Sequence, residues 1–273
     1  MDGIFSRNEL FWGLKSQELL ASKHIAVFGL GGVGGFCAEA LARAGIGELT
    51  VIDFDEVSLS NINRQCIAFH STVGEKKAFL FEKRLKDINP KLKINVVDDF
   101  FSDKLCKSEK TCEKNIKILS AQCENKYFNA GQIDFSDFDY VADAIDTMRS
   151  KIALLEKCVT KNIPVISSMG AGNRIDPTKL YICDISEIKN KNAPFISNII
   201  YQLKKRNIEK GITVVASSEA PFVQRKISSS EKIKTKSGED IEFTKITPAS
   251  TPFVASTAGI FMAAHITQAL LKN

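Results

Sequence analysis

The strongest constraint on this chain is one stretch near its start. His24-Ile25-Ala26-Val27-Phe28-Gly29 is a short apolar run ending in glycine, the pattern of a buried strand. Gly34 to Ala44 is alanine-rich and stops at Gly45, as a glycine-capped helix does. Glu48 to Asp53 is a second apolar run. Strand, helix and strand within about thirty residues make a βαβ unit with parallel strands. Between the first strand and the helix, Gly29-Leu30-Gly31-Gly32-Val33-Gly34 fits G-x-G-x-x-G. Gly29, Gly31, Gly32 and Gly34 permit a tight turn and let a phosphate approach the backbone at the positive end of a helix. Asp53 closes the second strand, where a carboxylate can accept hydrogen bonds from ribose hydroxyls. The pattern predicts a nucleotide site but not which nucleotide. A glycine loop kept only for helix–strand packing is the ordinary structural alternative.

The rest of the chain extends that sheet. Gly74 to Ile88 reads as a helix stopped by Asn89-Pro90, and Lys93 to Val97 as a strand. Residues 103–132 are polar and aperiodic, which predicts a surface insertion. Regularity returns with a strand at Tyr140–Asp146, a helix from about Ser150 to Lys161 and a strand at Ile163–Met169. Weaker signals mark a strand near Leu180–Cys183, a helix near Phe195–Arg206 and a strand at Thr213–Ala216. The expectation is one domain over 1–273: a doubly wound, Rossmann-like α/β fold with a mostly parallel sheet and a basic, loop-rich C-terminal part. The composition, 44% hydrophobic and 25% charged, excludes a chain disordered throughout, a collagen-like repeat and a membrane bundle. The tract Ile246–Leu271 has no formal charge and is long enough to span a membrane. Its prolines, hydroxyls, His265 and Gln268, with small residues at Ala255, Ala258 and Gly259, favour instead a buried C-terminal helix, and no membrane span is expected. Seven cysteines are scattered without a C-x-x-C pair, so neither a disulfide framework nor zinc is expected. With no apolar leader at residues 1–7, the expected compartment is the reducing cytoplasm.

Residues after the glycine loop bear on the nucleotide. A bridging pyrophosphate is largely satisfied by helix-end amides, whereas a triphosphate under attack needs side-chain cations and a metal. Asp55 is followed by Asn61-Ile62-Asn63-Arg64-Gln65 and then Lys76-Lys77, while Asp143 and Asp146 fall at the end of the fourth strand. Cations, amides and a carboxylate converging on one nucleotide suggest ATP cleavage rather than hydride transfer. Each also has an ordinary reading: Arg64 as a surface ion pair, Lys77 as a solvated helix lysine, Asp146 as a helix N-cap.

The sequence resembles the ubiquitin-activating-enzyme-like family of adenylating enzymes, which includes the ThiF, MoeB and HesA proteins. The motifs are GLGGVGG at 29–35, DFDEVSLSNINRQ at 53–65, VGEKKA at 73–78 and DAID at 143–146. Resemblance to one branch, the tRNA threonylcarbamoyladenosine dehydratases, extends to FSRNEL at 5–10, ISSMGAG at 166–172, DPTK at 176–179 and SSEAP at 217–221. The resemblance implies that Asp53 holds the ATP ribose and that Asn61, Arg64 and Gln65 line the nucleotide and phosphates, with Asp55 and Asn63 in the same motif. It implies that Lys77, rather than Lys76 one place off, neutralises the phosphates. Asp146 would bind magnesium or orient ATP. Arg7 looks like the family's N-terminal arginine, which reaches the phosphates of a neighbouring subunit, so a homodimer is implied.

The implied reaction is ATP-dependent dehydration of N6-threonylcarbamoyladenosine in tRNA to its cyclic form, through adenylation of the threonine carboxylate. No cysteine stands in an evident nucleophile motif, so the adenylate would be discharged internally or to a diffusible acceptor. A tRNA partner gives a purpose to residues 186–245, where twelve Lys/Arg face seven Asp/Glu, an excess equal to the chain's whole +5. Lys204, Lys205, Arg206, Arg225 and Lys226 are the candidate phosphate contacts, against the ordinary reading of solvated loop lysines. Three rivals stay open: an adenylyltransferase acting on the C-terminal glycine of a ubiquitin-like sulfur carrier, a non-catalytic nucleotide-binding scaffold, and a dehydrogenase. Sulfur-transfer partner proteins remain conceivable.

Overall fold

A computed structural model describes residues 3–99, 101, 133–191, 193–222, 229–234, 240–245 and 248–272. The expected insertion at 103–132 lies outside the described residues, as do Arg225 and Lys226. Two short helices, α1 (Ser6–Trp12) and α2 (Leu14–Ala21), precede β1 (His24–Phe28). There follow α3 (Gly34–Ala44), β2 (Glu48–Ile52), α4 (Lys77–Ile88) and β3 (Lys93–Val97). Next come β4 (Tyr140–Asp143), α5 (Met148–Thr160), β5 (Val165–Ser168) and β6 (Leu180–Asp184). The chain ends with α6 (Pro194–Lys204), β7 (Thr213–Ser217), β8 (Ser229–Lys234), β9 (Asp240–Lys245) and α7 (Pro252–Lys272).

The main sheet runs β3-β2-β1-β4-β5-β7-β6, parallel except for the edge strand β6. This is the doubly wound order, with the order of strands reversing between β1 and β4, which themselves run parallel. Burial on both faces explains the unbroken apolar runs. Ile25 and Val27 face one core with Leu41, Phe81, Leu85, Met262 and Ile266. Ala26 and Phe28 face the other with Phe135, Leu154, Ile196 and Ile199.

The helix at 74–88 starts later than expected, at Lys77. Gly74 has φ +89°, and Lys76 is extended and bridged to Glu56 before the helix begins. The basic C-terminal part is less loop-rich than expected, since it holds α6, β7 and the antiparallel pair β8–β9.

Helix α7 is long and apolar enough to cross a membrane, but it packs along α3. Val254, Ala258, Met262, Ala263, Ile266 and Leu270 are buried there. At the closest approach, a Cβ on Gly259 would collide with the Val33 carbonyl oxygen just before α3. Gly259→Ala should therefore cost about 1–3 kcal/mol of stability, the usual range for overpacking. The check is a lower urea midpoint with an unchanged slope.

Candidate active site

Ladder register aligns the strand ends. Phe28 lies opposite Ile52 on one side and Asp143 on the other, and Asp143 lies opposite Ser167 of β5. Gly29, Asp53 and the loop after Asp143 therefore share one rim, the carboxyl ends of the strands at the point where strand order reverses.

At that rim the chain leaves β1 through Gly29 at φ +85°, a left-handed conformation that glycine adopts without strain. A Cβ there would lie 2.8 Å from the Ala144 carbonyl oxygen, so the phosphate turn and the β4–α5 loop touch backbone to backbone. Val33, the N-cap of α3, makes no side-chain capping bond. The Gly35 N–H donates to the Gly31 carbonyl at 3.1 Å, and the amides beside it at the helix start can receive an anion.

The acidic partner is tied to the turn. Asp53 is buried; its Oδ2 accepts the Leu30 N–H at 2.6 Å and its Oδ1 the Asp55 N–H at 2.8 Å. Burial pushes the Asp53 carboxyl above the ordinary aspartate value, opposed by the Lys77 charge and these two amides. Lys77 is itself buried, its Nζ 2.8 Å from Oδ2 of the half-exposed Asp55. Lys76 instead donates to the Phe54 carbonyl at 3.0 Å and lies 3.6 Å from Glu56 and Asp98, so it belongs to the outer edge of this loop.

Asn61 is buried and closes its turn by accepting the Ser58 N–H through Oδ1 at 3.1 Å. Arg64 donates through Nη1 to the Ser60 carbonyl at 2.8 Å and to Asn63 Oδ1 at 2.9 Å. Asn63 in turn donates to the Ser250 carbonyl at 3.0 Å, anchoring the arginine loop to the approach of α7. Burial lowers the Arg64 pKa from its ordinary value, and Asp146 pulls it back up. Gln65 is buried with Oε1 unpaired, close to Gly31.

Asp146 is exposed, with only its neighbour's Thr147 hydroxyl near it at 3.5 Å. The N-cap of α5 is Thr147, so Asp146 is not held as a cap. Among the described residues no three His, Cys, Asp or Glu side chains group to hold a metal. One free carboxylate at a phosphate turn suits magnesium shared with a polyphosphate, because that ion typically takes one or two carboxylates plus phosphate and water oxygens.

Asp143 does not open onto the site; it is fully buried against Lys151 and Ser167. Neither partner stood out in the sequence, although two serines inside the apolar run at 163–169 were a visible irregularity. Arg174 was also missed. Its buried guanidinium donates to the carbonyls of Gly170, Gly172 and Glu219 at 2.5, 3.2 and 3.3 Å, pinning the loop after β5 to the loop after β7. Next to it, Asn173 accepts the Phe222 N–H at 2.6 Å and exchanges two bonds with Ala249 at 2.7 and 2.8 Å.

Two sets of expected residues are not brought to this rim. Arg7 is exposed on α1 beside Asn8, which bonds the Arg43 carbonyl at the far end of α3. Lys204, Lys205 and Arg206 end α6, whose other end touches Gly170, so they sit at the opposite rim. There Lys204 lies 3.7 Å from Glu209, Arg206 2.9 Å from Glu156, and Lys205 4.4 Å over the Tyr201 ring. Among the described residues the thiols are held in their protonated form: burial pushes Cys158 and Cys37 up to about 12 and Cys66 to about 11, and raises Cys183.

A doubly wound, mostly parallel sheet with a glycine turn where the strand order reverses defines the class, a Rossmann-like α/β protein. The chain belongs to the ThiF family, whose sequence model matches residues 5–273. It is 39% identical over 272 residues to the tRNA threonylcarbamoyladenosine dehydratase of Bacillus subtilis, covering 98% of this chain and 95% of that one. The crystal structure of the Escherichia coli tRNA N6-threonylcarbamoyladenosine dehydratase in complex with AMP superposes with a TM-score of 0.75 at 29% identity, covering 98% of this chain and 94% of that one. The Escherichia coli molybdopterin-synthase adenylyltransferase is 41% identical, but only over 59% of this chain and 53% of its own length.

Asp53→Ala should weaken ATP binding about 10- to 100-fold, as expected for hydrogen bonds to a charged group. In the wild type, protonation would place an O–H where two N–H groups donate. ATP affinity should then fall as pH drops through the raised Asp53 value, a dependence that calorimetry should find missing in the variant.

Proposed function

We propose that this chain catalyses ATP-dependent dehydration of N6-threonylcarbamoyladenosine in tRNA to its cyclic form. The observation that carries the reading is end-to-end similarity to the Bacillus subtilis dehydratase, against partial similarity to the molybdopterin-synthase adenylyltransferase. The structure solved in complex with ATP, similar over 98% of this chain, supports ATP as co-substrate.

In the proposed reaction a threonine carboxylate oxygen attacks the α-phosphorus of ATP, and the α–β bridging bond breaks with its electron pair leaving on pyrophosphate. The ureido nitrogen or oxygen of the same nucleoside then attacks the acyl carbon. The bond to AMP breaks, a proton is released, and the nucleoside has lost the elements of one water. Ring closure within one bound nucleoside is fast because its reacting groups are already held together. It needs no enzyme nucleophile, which suits the raised thiol values of the four described cysteines.

In this reading Asp53 holds the ribose, the amides after Gly29 hold phosphate, and Asn61, Asn63 and Gln65 shape the turn around it. Arg64 meets the charge that develops on the phosphates, and Lys77 balances it once Asp55 swings aside. Magnesium would be held by Asp146 and the phosphates, and would supply positive charge there.

The tRNA is proposed to lie along the basic segment on the side of its hairpin. The stretch 222–249, which includes the hairpin, is tied at both ends to Asn173 through Phe222 and Ala249, and Arg225 and Lys226 follow Phe222 closely in the chain. Lys204, Lys205 and Arg206 are left as contacts for a more distant part of the RNA. A homodimer is proposed because Arg7 cannot serve its own rim, while Ile4, Leu10, Phe11 and Leu14 around it are all at least 60% exposed. The free thiols of Cys37, Cys66, Cys158 and Cys183 fit a reducing cytoplasm.

Incubation with ATP, magnesium and tRNA carrying the threonylcarbamoyl nucleoside, followed by mild digestion and mass spectrometry, should show loss of one water. Asp146→Ala should abolish it, and Arg64→Ala should slow it about 100- to 1000-fold, the cost of losing one transition-state donor. Unchanged mass, with pyrophosphate exchange on a protein ending in glycine, would favour the sulfur-carrier reading instead. Mixing inactive Arg7→Ala and Asp146→Ala proteins should restore activity, since a mixed dimer has one site with both groups. No restoration would dismiss an arginine supplied by the neighbouring subunit.

A further inference from the structure

A lysine that the proposed chemistry does not use lies directly beneath the Asp146 loop. Lys151 and Asp143 are both 0% exposed, with Nζ 2.5 Å from Oδ2. Ser167 donates its hydroxyl to the same carboxylate oxygen at 2.6 Å and accepts from Lys151 Nζ at 3.0 Å. The other oxygen, Oδ1, accepts the Ile145 N–H at 3.1 Å. Three elements meet here: Asp143 ends β4, Ser167 lies opposite it on β5, and Lys151 sits near the start of α5. The network reaches the loop between β4 and α5 through Asp143 on the Ile145 N–H, while α5 opens with its own backbone bond from the Lys151 N–H to the Thr147 carbonyl at 3.0 Å. Ala144 in that loop touches both Gly29 and Gly34.

Stability alone does not account for a charge pair in this place. Desolvation largely offsets the attraction of a buried ion pair, and apolar replacements of equal volume are often neutral or better. Leu155, one turn along α5 from Lys151, is itself apolar and fully buried, as such a replacement would be. What an apolar pair cannot do is accept a loop amide on one side while bonding helix and strand on the other. We propose that Asp143, Lys151 and Ser167 form a positioning network for adenylation. It fixes the path of residues 144–147, and with it the place of the Asp146 carboxylate beside the turn that Ala144 packs against at Gly29 and Gly34. The inference rests on the ATP-dependent reading above. The three are positioning residues, since none reaches the reacting atoms.

Loosening the network moves Asp146 while Asp53 keeps its bonds to the Leu30 and Asp55 amides. Turnover should therefore suffer and ATP binding should not. The test uses the full chain with Ser167→Ala, and with the double variant Lys151→Met/Asp143→Leu, which removes both charges together. Ser167→Ala should lower kcat tenfold or more while KM for ATP stays within about threefold, because misplacement by about 1 Å can cost 100-fold in rate. Its melting temperature should stay near wild type, and amide hydrogen exchange over 144–147 should speed up. The double variant should approach the rate of Asp146→Ala; if it does not fold, Ser167→Ala decides alone. Either folded variant keeping kcat within about twofold of wild type would overturn the proposal. So would a KM that rises as much as kcat falls. Should wild type not dehydrate the nucleoside, the ATP-dependent reading falls by itself. Hydrogen exchange then decides the network: unchanged exchange over 144–147 in Ser167→Ala overturns it, and faster exchange sustains it.

Discussion

Backbone meeting backbone without a side chain between them is the constraint on which the rest of this structure depends. The phosphate turn presses on the Ala144 carbonyl at Gly29, and the residue before α3 presses on α7 at Gly259. Turn, β4–α5 loop and C-terminal helix are therefore one packed body, although they are far apart in sequence. Apolar burial supplies most of the driving force, through two cores that take alternate residues of the same strands. Those contacts fix the strand ends to within a residue. The glycines then let the loops close over the ends tightly enough to make a site.

Within that site each charge is restrained differently. Arg64 is held by carbonyl and amide oxygens of its own loop, which orient the guanidinium without cancelling its charge. Lys77 is paired with a carboxylate that is half in solvent, so its charge is available on exchange of partners. Asp53 is engaged on both oxygens, and Asp146 on almost nothing. The gradient from fully bonded to nearly free matches a division between groups that shape the nucleotide pocket and groups that meet a changing charge.

Much of this was legible in the sequence because it rests on local periodicity. The β1–α3–β2 unit, the glycine turn and Asp53 are set by residues within thirty positions of one another, and α7 was separable from a membrane span by its small and hydroxylated residues. What was not legible depends on distant pairing. Asp143 looked like a partner of Asp146, yet Lys151 and Ser167 draw it inward, and only the β4–β5 register brings those two to it. Lys204, Lys205 and Arg206 counted as part of one basic surface until the direction of α6 placed them at the other rim. Helix orientation is decided by the sheet and not by the helix's own composition, so charge counting along the chain had no access to it.

Asn173 holds the two feet of the 222–249 excursion on one residue. The entropy of closing a loop grows only logarithmically with its length, and here the closure is made by the loop's own anchor and not by its contents. One residue of the loop after β5 therefore sets where the chain leaves the rim and where it returns, whatever the length between.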